Sequence, residues 1–420
     1  MEVANSEAEN IAPLDSEEVA AETERATEVL APHLRQTPTR LSDHFSEQLG
    51  VEVYLKPENF QRTGSFKVRG AGYALSKLDN HQRRWGVVAA SAGNHAQGVA
   101  AAALRMNIKA LIVMPESTPN TKLDAVRALG AEVELYGPTF DDAYGRAREI
   151  ESERGLAMIP PFNHPDVIAG QGTVGLEILD EVPEVGTIIV SVGGGGLIAG
   201  LAAAVKSRRP DVRIIGVVAS GADSLSRSMN VGSIVATDTI KTIADGIAVK
   251  RVGELCFPLI QKLVDQVVTV DDDHMARAIL SLLERERMLA EAAGAAPLAA
   301  LVERRVRVTG KVVALISGGN LDVNLLSRII GKGLALQNRY ARIQVVLHDV
   351  PGSLMNLSRI VADERVNIIH IEHDRMSTAV PINHTVSTLY LELRGREHLE
   401  SLVHKLLAEG YEVWREDNQP

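Results

Sequence analysis

Gly193, Gly194, Gly195 and Gly196 stand in a row between two segments of opposite character. Before them, Gly186-Thr187-Ile188-Ile189-Val190-Ser191-Val192 is apolar, β-branched and bounded by glycine, which reads as a buried strand. After them, Leu197 to Arg208 reads as a helix rich in alanine and leucine. Strand, glycine loop and helix in that order point to a parallel sheet covered by helices. The alternation continues elsewhere. Strands are expected at Gly86–Ser91, Ile108–Met114 and Ala131–Tyr136, with helices at Asn94–Arg105, Thr121–Leu129 and Asp141–Arg154. After Gly170-Gln171-Gly172-Thr173 it resumes, with strands at 187–192, 212–218, 266–270 and 312–316. The fold class is therefore α/β with two open parallel sheets, and ligands belong in the crevice at the strands' carboxyl ends. Ser91-Ala92-Gly93-Asn94-His95, the glycine run and Ser317-Gly318-Gly319-Asn320 all fall at such ends.

A glycine loop feeding a helix leaves backbone N–H groups free and lets a phosphate approach without interference from Cβ atoms. A bare turn would explain a glycine or two, but four in succession give up much chain entropy for a turn alone. Gly194 to Ala199 also fits the G-x-G-x-x-A dinucleotide fingerprint, which requires an acidic residue at the end of the next strand. That strand ends Gly216-Val217-Val218-Ala219, without a carboxylate. Earlier, Ser65-Phe66-Lys67-Val68-Arg69-Gly70 offers a lysine beside an aromatic ring. A phosphate loop together with a Schiff-base lysine suggests pyridoxal phosphate, and so amino-acid chemistry. The bland alternative for Lys67 is a solvated surface lysine.

The 420-residue chain is long enough for two or three domains. No apolar run is long enough to cross a membrane, and the acidic N-terminus (Glu2, Glu7, Glu9, Asp15, Glu17, Glu18) has no signal-peptide pattern. The expectation is a cytoplasmic protein. The lone Cys256 rules out an intramolecular disulfide and a cysteine metal cluster. A net charge of −10 argues against nucleic acid as a partner. Residues 1–15 are expected to be disordered, followed by a helix from Asp15 to Leu30.

Beyond Gly333 the pattern changes. Arg342–His348, Asn367–Glu372, Thr385–Leu393 and Tyr411–Arg415 read as strands, and Ser353–Glu364 and Leu399–Glu409 as helices. The order βαββαβ is a ferredoxin-like unit. The expected organisation is a catalytic region over 16–330, with a small subdomain at about 55–155 inserted in a larger one. A linker at 331–339 and the ferredoxin-like domain at 340–420 follow.

The chain resembles the threonine ammonia-lyases (threonine dehydratases), fold-type II pyridoxal phosphate enzymes with a tryptophan synthase β-like fold, here with one C-terminal ACT domain. Over residues 20–330 the resemblance rests on Ser65–Ala71, Ser91–Gly98, Gly170–Thr173, the four glycines and Ser317–Asn320; over 340–416 it rests on His348–Leu354 and Asn367-Ile368. It implies dehydration and deamination of L-threonine to 2-oxobutanoate and ammonia, and of L-serine to pyruvate. Serine or 3-hydroxyaspartate ammonia-lyase is the alternative, and serine racemase a more distant one.

By the same resemblance, Lys67 would carry the cofactor as a Schiff base and then act as the base at Cα. Phe66 would stack near the pyridine ring, Asn94 would hydrogen-bond the ring hydroxyl, and Ser317 would face the ring nitrogen. Gly193, Gly194, Gly195, Gly196 and Leu197 would cradle the phosphate, and Gly246 would cover the other ring face. Ser91, Ala92, Gly93, Asn94 and His95 would receive the substrate carboxylate on backbone N–H groups, with His95 equally open to a structural role. Racemases of the family carry a second serine where this chain has Ala92, which cannot move a proton. Their metal-binding carboxylates align with Val218 and Ser224, so no metal is expected, although Asp223 is near. Asp349, Gly352, Ser353 and Asn367 are candidates for an amino-acid effector, and ACT pairing favours a dimer or tetramer. The alternative is that the ACT domain only holds an oligomer together.

Overall fold

The structure, a computed structural model, describes residues 12–415. Of residues 1–15, expected to be disordered, 1–11 fall outside them and 12–15 have no regular secondary structure. Residues 1–321 and 322–420 form two compact units.

The first unit holds two sheets. A six-stranded sheet runs in the order Arg40–Leu41, Val53–Pro57, Lys311–Ile316, Val185–Ser191, Arg213–Ala219, Gln266–Val270. All neighbours are parallel except the short Arg40–Leu41 edge strand. A four-stranded parallel sheet runs Glu132–Leu135, Ala110–Met114, Val87–Ala90, Ala157–Met158. The central strands are almost wholly buried, as continuous β-branched runs require when helices cover both faces. Val53–Pro57 lies at the start of the expected small subdomain but pairs with Lys311–Ile316 of the larger sheet.

Gly170-Gln171-Gly172-Thr173 does not interrupt a helix but lies inside one, Pro165–Glu181. A Cβ at Gly170 would come within 2.8 Å of the Arg69 carbonyl oxygen, and one at Gly172 within 2.7 Å of that of Gly200. Gln171 Oε1 accepts from Gly70 N at 3.1 Å. The motif lets three helices approach one another closely.

The second unit begins with the helix Val323–Leu336, where a linker over 331–339 was expected. Asp322 caps it by accepting from Asn324 N and Leu325 N, and Ile329 and Leu334 are buried. These outweigh Gly331 and Gly333, each of which costs a helix only about 1 kcal/mol. An antiparallel sheet follows in the order Asn367–Asp374, His384–Glu392, Tyr340–His348, Glu412–Arg415, with helices Ser353–Asp363 and Arg396–Ala408. This is the ferredoxin-like βαββαβ arrangement.

Candidate active site

The strand Val185–Ser191 delivers its chain into the glycine run, which opens the helix Gly196–Arg208. None of the four glycines has room for a side chain. A Cβ at Gly193 would meet Ile247 Cα at 2.9 Å, and one at Gly194 would run into the Phe162 ring. One at Gly195, where φ is +96°, would meet Cys256 Cβ at 2.9 Å, and one at Gly196 the Phe162 carbonyl oxygen at 2.9 Å. Neighbouring protein atoms, not only an approaching ligand, therefore demand glycine here. Among the described residues, no backbone carbonyl accepts from the N–H groups of residues 193–197. Those free donors and the positive helix end form an anion site.

Lys67 begins the helix Lys67–Ser76. Its Nζ lies 5.3 Å from the Phe66 ring centroid and donates to the Pro161 carbonyl oxygen at 2.7 Å. Desolvation foremost holds its pKa well below the usual lysine range, at about 8, against the opposing pull of Glu291 and Cys256. Gly98 lets the helix Asn94–Met106 pass 3.1 Å from the Lys67 backbone, measured from the Cβ it lacks.

Ser91 to His95 carry the chain from the strand Val87–Ala90 into that helix. Ser91 Oγ accepts from Gly93 N at 3.2 Å, and Ala92 is half-buried. His95 Nε2 donates to the Ile159 carbonyl oxygen at 2.8 Å, while its buried Nδ1 has no hydrogen-bond partner among the described residues. Burial, then the Lys67 charge, pushes its pKa down to about 3, so the ring is neutral and anchored. Asn94 Nδ2 donates to Glu291 Oε1 at 2.7 Å, and its Oδ1 accepts from Asn320 Nδ2 at 2.7 Å. Ser317 and Ser191 hydroxyls are buried 3.1 Å apart at adjacent strand ends. A Cβ at Gly246 would meet Ala293 Cβ at 3.0 Å and Glu291 Oε1 at 3.3 Å.

These residues suit pyridoxal phosphate on their own chemistry. Free N–H groups at a helix N-terminus match a phosphate dianion. An amine with a lowered pKa matches an aldehyde, and the second N–H of Asn94 matches a phenolate oxygen. The neutral hydroxyl of Ser317 matches a pyridine nitrogen.

Sequence reasoning missed Glu291, Pro161, Phe162 and Asn320 as site residues. Glu291 had a signal, being the only charged residue from Met288 to Val302. Burial raises its pKa to about 7. Asp223, the residue nearest the metal position of the racemases, pairs with Arg227 at 2.9 Å.

In the second unit, Asp349 accepts from Arg375 Nη2 at 2.7 Å, beside Gly352 at φ +94° and Ser353, which opens a helix. Asn367 does not join them. The sheet register pairs Asn367 with Glu392, at the Tyr340 end, while Asp349 follows His348 at the other end. Eight strand residues at ~3.3 Å each separate the two ends by about 26 Å. Asn367 instead donates to Glu392 Oε2 at 3.0 Å.

Residues 30–318 match the pyridoxal-phosphate dependent enzyme family and residues 337–410 the ACT domain family. The chain is 46% identical over 391 residues to the L-threonine ammonia-lyase of Geobacter sulfurreducens, covering 93% of this chain and 97% of that one. Among solved structures, the processed form of threonine deaminase isoform 2 from Solanum lycopersicum has a TM-score of 0.73 and 41% identity, covering 76% of this chain and 89% of that chain. Maize serine racemase has a TM-score of 0.71 and 35% identity, covering 76% and 98%. The free glycine-loop donors, the enclosed lysine and these likenesses agree: the chain belongs to the pyridoxal-phosphate-dependent enzymes, among the threonine ammonia-lyases, and carries an ACT domain.

Proposed function

We propose that this protein dehydrates and deaminates L-threonine to 2-oxobutanoate and ammonia and turns over L-serine to pyruvate, under amino-acid control through its ACT domain. The observation that carries the reading is Lys67, an amine desolvated at the mouth of a helix with a pKa of about 8. Near pH 8 about half of such amines are neutral, the form that can attack a carbonyl or take a proton from Cα. Bound pyridoxal phosphate supplies the electron sink that acidifies that Cα–H bond.

The chain's own residues supply the rest. The 193–197 N–H groups hold the phosphate and so fix the ring. Phe66 borders it, and Gly246 leaves room for its other face. Ser317 offers the ring nitrogen a neutral partner. Backbone N–H groups of the Ser91–His95 loop, which leads into the helix Asn94–Met106, would receive the substrate carboxylate. Ala92 carries no transferable proton, so a proton removed from one face has no donor there for return on the other, which favours elimination over racemisation. Discrimination by the threonine methyl is worth only ~1–3 kcal/mol, so threonine and serine turnover overlap.

Asp349, Gly352 and Ser353 form the local effector candidate, and Asn367 would act at a separate place or with another copy of the domain. We place the protein in the cytoplasm as a dimer or tetramer; among the described residues no helix is long and apolar enough to cross a membrane. The test is 2-oxo acid and ammonia release from the purified protein with pyridoxal phosphate and L-threonine or L-serine. Release of 2-oxobutanoate that disappears in Lys67→Ala is expected. No release from either amino acid, with cofactor bound, would overturn the substrate assignment.

A further inference from the structure

Glu291 stands at the N-cap of the helix Ala292–Val302, yet its side chain makes no cap hydrogen bond. It turns into the crevice, where a Cβ on Gly318 would overlap it and one on Gly246 would touch it at 3.3 Å. Glu291 is only 9% exposed, and burying a carboxyl in an otherwise apolar segment costs stability unless hydrogen bonds or a counter-charge offset it. Its partner is Asn94 Nδ2, 197 residues away.

The hydrogen bonds around Asn94 have a direction. The Thr63 carbonyl can only accept, so the Asn320 atom 2.7 Å from it is the NH2 group. The second hydrogen of that NH2 goes to Asn94, whose facing atom is therefore Oδ1, at 2.7 Å. Asn94 Nδ2 is then turned to Glu291, which accepts one hydrogen and leaves the other N–H for a ligand. We propose that Glu291 is a positioning residue that fixes the Asn94 amide with its remaining N–H toward the cofactor's ring oxygen. The assignment rests on the pyridoxal phosphate reading above and extends it.

Full-length parent, Glu291→Ala, Glu291→Gln, Asn94→Ala and the Glu291→Ala/Asn94→Ala double variant are titrated with pyridoxal phosphate. The visible absorption band reports affinity and band position. Glu291→Ala should bind about tenfold more weakly and shift the band, the loss expected for one hydrogen bond. Glu291→Gln retains an acceptor oxygen and should stay within about threefold of the parent. The double variant should match Asn94→Ala alone, because Glu291 acts through that amide. Melting temperatures without cofactor should be no lower for Glu291→Ala than for the parent, which separates positioning from folding. Parent-like affinity in Glu291→Ala, or a double variant weakened by the sum of both changes, would overturn the proposal. A parent that binds no pyridoxal phosphate would instead overturn the functional reading, and this assignment with it.

Discussion

Two residues after Lys67, Arg69 is fully buried, and its five N–H groups are all engaged. Nε and Nη2 bond Glu58 at 2.7 and 2.8 Å, Nη1 and Nη2 bond Glu177 at 2.6 and 2.8 Å, and Nη1 reaches Thr173 Oγ1 at 3.1 Å. Glu58 is also fully buried, with Thr37 as its other hydrogen-bond partner at 2.5 Å, whereas Glu177 keeps Lys56 at 2.8 Å. Arg69→Met therefore strands Glu58 without a counter-charge. Breaking a buried pair from one side costs about 3–5 kcal/mol. For a cooperative unit of ~300 residues, an unfolding entropy near 2.1 cal/mol/K per residue converts that to about 5–8 °C in Tm. Arg69→Lys should recover little, since a point charge cannot serve two carboxylates with paired bonds. Calorimetry at fixed cofactor concentration reads the shift. Adding Glu58→Gln to Arg69→Met should return part of the loss, because the stranded charge is then gone. The reasoning is refuted if Arg69→Met melts within about 1 °C of the parent, or if Glu58→Gln lowers it further.

The remaining predictions concern the crevice. The folded state holds Glu291 at about 7 against 4.5 for a free carboxyl, so it binds more protons than the unfolded chain between those values and stability falls as pH rises through them. Without cofactor, Glu291→Gln should match the parent near pH 5 and gain up to about 3 kcal/mol by pH 8; denaturant titrations showing a constant difference would contradict this. Gly194→Ala pushes a methyl into the Phe162 ring, and such overpacking costs about 1–3 kcal/mol. Its cofactor affinity should fall, with partial rescue by Phe162→Leu, and an unchanged titration curve would show that the loop has slack.

Runs that are buried on both faces were legible because their apolar pattern is local. The buried Val185–Ser191 and Lys311–Ile316 lie within two residues of their expected bounds and the half-exposed Gln266–Val270 matches to the residue, whereas Val53–Pro57 and the two-residue strands Arg40–Leu41 and Ala157–Met158 were not expected. The helix Val323–Leu336 was not, because Gly331 and Gly333 read as breaks while the Asp322 cap and the buried Ile329 and Leu334 go unseen without tertiary context. The glycine run was found, but half its reason was hidden: Phe162, Ile247 and Cys256 occupy the space a Cβ would take. Asn94 and Glu291 meet across 197 residues, a distance at which spacing carries no information. Asp349 and Asn367 show the converse, being joined by motif and separated by register.

The charge pattern of the crevice argues for what chemistry it favours. Its strand ends carry the Ser191 and Ser317 hydroxyls, buried and 3.1 Å apart, and in the proposed reading Ser317 would face the ring nitrogen in place of a carboxylate. A neutral hydroxyl would not hold a proton on that nitrogen as an anion would, so the bound ring would supply a weaker electron sink. The buried crevice carboxyl of Glu291 is engaged by Asn94, and burial itself draws it toward the neutral form. His95 is held neutral by the same burial, with its Nε2 committed to Ile159. Lys67, whose pKa desolvation lowers to about 8, would then be the amine that exchanges protons at Cα in the proposed reaction. A single base with no partner acid at Ala92 cannot return a proton to the opposite face. The arrangement would instead favour loss of the β-hydroxyl as water, the proton that Lys67 takes from Cα balancing the one the departing oxygen needs.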